Sequence, residues 1–139
     1  MSTPPLDGIL ETALYVDDLD EARAFYLTVM GLDEIFSDER MASLNVGEDR
    51  VLLLFRRGAS AHTTEVPGGT IPPHDGAGPV HIAFAVDDGD LAAWEEHLER
   101  HDTPVEARTD WPERGTSIYF RDPDGHLLEL ASRRLWRRG

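Results

Sequence analysis

Two stretches of the chain share one rhythm of apolar and polar positions. In "ILETALYV", Thr12, Leu14 and Val16 alternate with Glu11, Ala13 and Tyr15. In "VHIAFAV", Ile82, Phe84 and Val86 alternate with His81, Ala83 and Ala85. Period-two alternation predicts a strand with one face against a core. After each strand comes an Asp-rich corner, and the period lengthens to that of a helix. Residues 19–30 carry Ala22, Phe25, Tyr26 and Val29 at helical spacing with Gly31 as the stop, and residues 90–101 carry Leu91, Trp94 and Leu98 on one face. Asp18 and Asp90 are the expected N-caps. Three short apolar segments follow each helix. They are "DEIFSD", "MASLNV" and "RVLLLFR" in the first half, and "VEARTDW", "TSIYFR" and "HLLELAS" in the second. The turn "DPDG" joins the last two, with Pro and Gly fixing the backbone and Asp side chains able to bond it. The order is βαβββ twice, which predicts an α+β fold of two similar modules in a curved mixed sheet.

Placing Glu11 on His81 pairs Ala13 with Ala83, Val16 with Val86, Asp17 with Asp87 and Asp18 with Asp88. The expectation is a single domain over residues 1–139, with module one at about 8–57, a long loop at about 58–78 and module two at about 79–133. That loop is rich in Pro and Gly and too long for a simple connection, so it is expected to lie over a binding site.

The face assignment concentrates chemistry. In the last strand Leu128 and Leu130 oppose Leu127, Glu129 and Ala131; in the preceding one Ile118 and Phe120 oppose Ser117, Tyr119 and Arg121. The bulky apolar set must pack on the helices, so Glu11, His81, Glu129, Tyr119, Ser117 and small alanines face the other way. Charged groups there are costly unless paired or metal-bound. Two carboxylates and an imidazole suit a divalent ion such as Fe, Mn, Ni, Co or Zn. Aligning "HLLELA" with "RVLLLF" puts Leu53 opposite Glu129, and leucine cannot ligate. Three protein ligands then leave open positions, as a catalytic site requires.

Composition narrows the setting. The 139 residues include no cysteine, which excludes disulfides, thiolate metal sites and cysteine nucleophiles. No apolar run is long enough to span a membrane, and "MSTPPLDG" carries no signal-peptide pattern. A cytoplasmic protein with no membrane partner is expected. There are 27 acidic and 13 basic residues, for a formal net charge of −14, and every basic residue is arginine. Such an acidic surface argues against a nucleic-acid partner. It suggests adaptation to high salt, although a GC-rich genome would also yield arginine without lysine.

The motifs "ALYVDDLDEARAFY", "HIAFAV" and "IYFRDPDGHLLEL" resemble the vicinal oxygen chelate superfamily, which spans glyoxalase, bleomycin-resistance and extradiol-dioxygenase proteins. The resemblance covers residues 9–132. It implies paired βαβββ modules forming a U-shaped sheet, and metal positions at Glu11, His81 and Glu129. It also implies a small-molecule substrate that chelates the metal through adjacent oxygens, in a glyoxalase-like lyase or isomerase or a dioxygenase. Members of the glyoxalase I kind carry a fourth ligand where this chain has Leu53. The dioxygenase pattern has two histidines and one carboxylate, and Glu11 departs from it. Glu129 or Glu11 would act as catalytic base, and Tyr119, Ser117, His74, Arg40, Phe55 and Asn45 would contact substrate. A homodimer is expected. The alternative is a metal-free binding protein of the bleomycin-resistance type, or a scaffold with a vestigial site.

Overall fold

The computed structural model describes residues 3–138; residues 1–2 and 139 of the expected 1–139 domain lie outside them. The elements are β1 (Glu11–Val16), α1 (Leu19–Thr28), β2 (Asp33–Ser37), β3 (Met41–Gly47) and β4 (Arg50–Arg56). Next come β5 (Thr64–Val66), β6 (Gly69–Ile71), β7 (His81–Val86) and a 3-10 turn (Asp88–Asp90). Then follow α2 (Leu91–Arg100), β8 (Ala107–Trp111), β9 (Gly115–Arg121) and β10 (Leu127–Ser132). The order βαβββ occurs twice, in two compact units divided between Gly76 and Ala77. No helix among the described residues is long and apolar enough to cross a membrane.

In the first unit the sheet order is β1-β4-β3-β2. β1 runs parallel to β4, and the remaining pairs are antiparallel. Leu14, Val16, Ala42, Leu44, Leu52 and Leu54 are buried, with Ala22 and Tyr26 of α1 buried alongside. Leu14 and Val16 are on the face that the alternating pattern assigns to the core, whereas Thr12, placed there too, is exposed at the strand's open end. Asp18 caps α1, its side chain accepting the Glu21 N–H at 3.1 Å. At the other end the Leu32 N–H reaches back to the Tyr26 carbonyl at 3.0 Å across Gly31, whose φ of +69° closes the helix.

The second unit repeats this layout as β7-β10-β9-β8. Its buried set includes Val86, Leu91, Leu98, Ile118, Phe120, Leu128 and Leu130. The registers correspond residue for residue. Glu11 pairs with Val51 as His81 pairs with Leu127, and Ala13 pairs with Leu53 as Ala83 pairs with Glu129. Leu53 therefore occupies in the first unit the sheet position of Glu129 in the second.

Two expectations need correcting. Asp90 does not cap α2: its backbone is already helical (φ −97°, ψ −8°) and its side chain makes no capping bond. A capping residue needs an extended backbone, which the preceding 3-10 turn removes. The 58–78 segment is not a plain loop either, since β5 and β6 form an antiparallel hairpin within it. The base of that segment is stitched to the first sheet. Arg57 donates to the Tyr15 and Gly76 carbonyls, each at 3.2 Å, and pairs with Asp17. His74 N–H bonds the Ser60 carbonyl at 2.8 Å, and Asp75 accepts the Gly58 N–H at 3.2 Å.

The arginine-rich tail docks within the second unit. Arg133 pairs with Asp87 at 2.8 Å, Arg134 with Asp88 at 2.7 Å, and Leu135 is buried. In the "DPDG" turn, the Asp122 carboxylate accepts the Asp124 and His126 N–H groups and meets the buried His126 ring at 2.7 Å. That histidine holds the β9–β10 connection together.

Candidate functional site

The chemistry of the second unit gathers on the side of its sheet away from the apolar core. Parallel pairing of β7 with β10 brings the His81 ring to Glu129, with Nε2 3.1 Å from Oε1. Glu129 is only 7% exposed. A carboxylate so desolvated needs donors, and Ser117 on β9 supplies one: its hydroxyl donates to Glu129 Oε2 at 2.5 Å. The Trp111 indole N–H in turn donates to Ser117 Oγ at 2.9 Å. Since Trp111 can only donate, it directs the serine proton towards the carboxylate. Tyr119, directly opposite Glu129 across the β9–β10 pair, places its ring 6.5 Å from the His81 ring.

The tautomer of His81 follows from its second contact. Nδ1 lies 2.8 Å from the Leu127 carbonyl oxygen, which can only accept, so Nδ1 carries a proton. Nε2 and Glu129 Oε1 then face each other at 3.1 Å, a distance that a shared proton satisfies. The same imidazole nitrogen and carboxylate are donors that a divalent cation would accept in place of the proton. The Leu127 carbonyl behind the imidazole and the Ser117 hydroxyl behind the carboxylate orient the two ligands as metal sites commonly do. The donor chemistry thus fits a divalent ion. Among the described residues, no three His, Asp or Glu side chains gather as a metal cluster within either unit. His81 and Glu129 stand as a pair in the second unit, and Glu11 belongs to the first.

The first unit holds a cavity of about 540 Å³. The sheet side is lined by Glu11 and Ala13 of β1 and by Leu53 and Phe55 of β4; the loop side is lined by Val66, Ile71 and His74. Residues of the 58–78 segment thus line a cavity with the first sheet. His74 is held by an aromatic cluster: Nδ1 lies 2.5 Å from the Tyr15 hydroxyl, and its ring meets Phe55 edge-on at 4.7 Å. Tyr15 stacks on Phe55 at 5.8 Å. Burial pushes the Tyr15 phenol above its ordinary range, and the Asp75 carboxylate adds to the effect. Arg40 also lines this cavity, with one guanidinium nitrogen 3.5 Å from Thr64 Oγ1.

The expected contact residues thus fall into two groups. Glu11, Arg40, Phe55 and His74 meet in the first-unit cavity, and His81, Glu129, Ser117 and Tyr119 meet in the second unit. Asn45 joins neither; its amide oxygen accepts the Gly47 N–H at 2.6 Å in the β3–β4 turn. Sequence reasoning missed Trp111 and Tyr15. Their partners, Ser117 for the indole and His74 for the phenol, lie on other elements, so no local pattern pointed to them.

The chain matches the model of the Glyoxalase/Bleomycin resistance protein/Dioxygenase superfamily over residues 8–130, and it belongs to that family. Among solved structures it is similar to a lactoylglutathione lyase from Agrobacterium tumefaciens. The two are 35% identical with a TM-score of 0.87, over 97% of this chain and 100% of that one. It is 31% identical to the metallothiol transferase FosB of Bacillus licheniformis, over 88% of this chain and 73% of the relative. Biphenyl-2,3-diol 1,2-dioxygenase 3 of Rhodococcus globerulus is also 31% identical, over 84% of this chain and 58% of that protein.

Proposed function

We propose that the protein is a metal-dependent vicinal oxygen chelate enzyme acting on a small molecule. His81 and Glu129 would hold a divalent ion, of iron, manganese, nickel, cobalt or zinc, and the family resemblance makes Glu11 the proposed third ligand. The observation that carries this reading is the His81–Glu129 pair, 3.1 Å apart with both side chains oriented from behind. Support also comes from relatives named as a lyase, a metallothiol transferase and a dioxygenase.

When bound, the ion would act as a Lewis acid towards adjacent substrate oxygens. The protein's own groups divide the remaining work. Glu129 is fixed by Ser117 and stays in place. Glu11 is exposed and is the freer carboxylate, suited to take a substrate proton and return it. Tyr119 and Ser117 border the donor pair, while Phe55, His74 and Arg40 line the cavity that receives the substrate. Asn45 is committed to its turn and has no part in this proposal. The protein would work in the cytoplasm as a homodimer, in keeping with exposed apolar side chains at Leu6, Ile9 and Leu10.

The test is metal analysis of protein purified without added metal. About one ion per chain is expected, with loss in His81→Ala and in Glu129→Ala. Unchanged metal content in both variants would overturn the reading, and wild-type protein free of metal would favour a metal-free binding protein. Reloading with Fe(II), Ni(II), Mn(II) or Zn(II) and assaying methylglyoxal hemithioacetals, catechols and acyl-CoA epimers would then identify the branch.

A further inference from the structure

Most arginines among the described residues pair with a carboxylate or donate to a backbone carbonyl, and Arg40 does neither. Carboxylates outnumber arginines 27 to 13, so a cation finds an anion easily. Arg23, Arg50, Arg57, Arg121 and Arg134 each pair with at least one carboxylate. Arg56 donates to the Glu39 carbonyl and Arg114 to that of Leu135. Arg40 makes no carboxylate pair among the described residues, and its guanidinium meets only the Thr64 hydroxyl, at a long 3.5 Å. The nearby Asp38 forms no ion pair with it, and its Oδ1 accepts the backbone N–H groups of Arg40 at 2.8 Å and Met41 at 3.0 Å.

The guanidinium is half-buried and faces the first-unit cavity, where it is the only arginine among the described lining residues. A planar fork of donors in such a place matches the two oxygens of an oxyacid. Around it the wall is mostly apolar and aromatic, with the Glu11 and Asp38 carboxylates, Ser43, Thr64 and His74 as its polar part. Phe36 remains 52% exposed, and Phe55, Val66 and Ile71 complete the surface. A volume of about 540 Å³ lies within the range of small-molecule sites.

We propose that Arg40 anchors the anionic headgroup, a carboxylate or a phosphonate, of a substrate whose apolar body lies against Phe36, Phe55, Val66 and Ile71. This rests on the reading of the cavity as the substrate site, and it selects acids from among the small molecules that reading allows. In a protein of net charge −14, general attraction cannot draw an anion in. Discrimination must therefore come from the local fork, and it should persist in high salt better than surface attraction does.

Calorimetric titration of metal-free protein tests the proposal, with 3-phenylpropionate, benzylphosphonate and the neutral 3-phenylpropionamide as probes. At least one anion should bind roughly tenfold or more tightly than the amide, as expected for a charge-assisted pair. The tighter anion identifies the headgroup. Arg40→Gln should abolish that preference and leave the affinity for the amide and the melting temperature unchanged. Equal affinity for all three probes, binding of none, or a preference that survives in Arg40→Gln would overturn the proposal. Metal content of Arg40→Gln and His81→Ala separates the two readings. If Arg40→Gln keeps the preference while His81→Ala loses metal, only the anchor fails. If the preference depends on Arg40 while His81→Ala keeps its metal, the anchor stands and the ligand set fails.

Discussion

The Ser117 hydroxyl lies 2.5 Å from Glu129 Oε2, and the Trp111 indole behind it leaves that proton one place to go. Ser117→Ala removes the acceptor of the indole and the donor to the carboxylate in one step. A loss of about 1–3 kcal/mol of stability is expected, read by urea denaturation. Metal retention should also fall roughly 10- to 100-fold, the usual effect of removing a group that orients a ligand. Unchanged values on both counts would mean that water replaces the serine.

Tyr15 fastens the cavity loop through His74 and supports Phe55 from behind. Tyr15→Phe should keep the ring stack and lose the hydrogen bond, at a cost of about 1 kcal/mol. Faster amide exchange across residues 58–76 would report it. The phenol is raised, so its contribution is fully present below the ordinary tyrosine value of about 10 and is lost as pH rises through the higher folded value. In an ultraviolet titration one phenolate that appears above the ordinary tyrosine range in the wild type should be missing from Tyr15→Phe.

Asp88 ties the tail to the second unit. The Ser132 hydroxyl, and after it the Arg134 guanidinium, holds its carboxyl below the ordinary aspartate range. A lowered carboxyl contributes stability above its unfolded value of about 3.9, and that contribution disappears as pH falls through the folded value. Asp88→Ala should therefore melt below wild type at pH 7, with the gap closing under acid. A gap that stays constant with pH would show that packing, not charge, holds the tail.

Gly115 packs against the same serine. A Cβ added there would lie 2.2 Å from Ser132 Oγ, and the backbone sits at φ +103°. Gly115→Ala combines a clash with a disfavoured backbone, so a loss of about 1–3 kcal/mol is expected from chemical denaturation. A near-neutral result would mean that Ser132 swings clear at no cost, and that its bond to the Thr116 N–H is dispensable.

The sheets and helices were legible because alternation and helical spacing are local and repeat over six residues or more. Pseudo-symmetry then supplied the register, and Leu53 indeed pairs with Ala13 as Glu129 pairs with Ala83. The β5–β6 hairpin escaped notice because strands of three residues beside Pro and Gly are too short to show a period. Asp90 misled because a residue type that often caps helices here lies inside a 3-10 turn. Equivalence between Glu11 and His81 specifies matched places in two strands, which is a different quantity from a distance between them. Hydrogen-bond partners such as Trp111 for Ser117 depend on how an edge strand turns its side chains, and composition carries no trace of that.

The leucine at position 53 has a consequence for how this protein can change over time. In a duplicated fold with identical halves, every substitution in a shared structural role tends to constrain its counterpart. Here the copies differ: the first unit has an apolar-walled cavity and the second a paired imidazole and carboxylate. Under the proposed function, variation along residues 36–74 would reshape what is accepted while Glu11, His81 and Glu129 are kept.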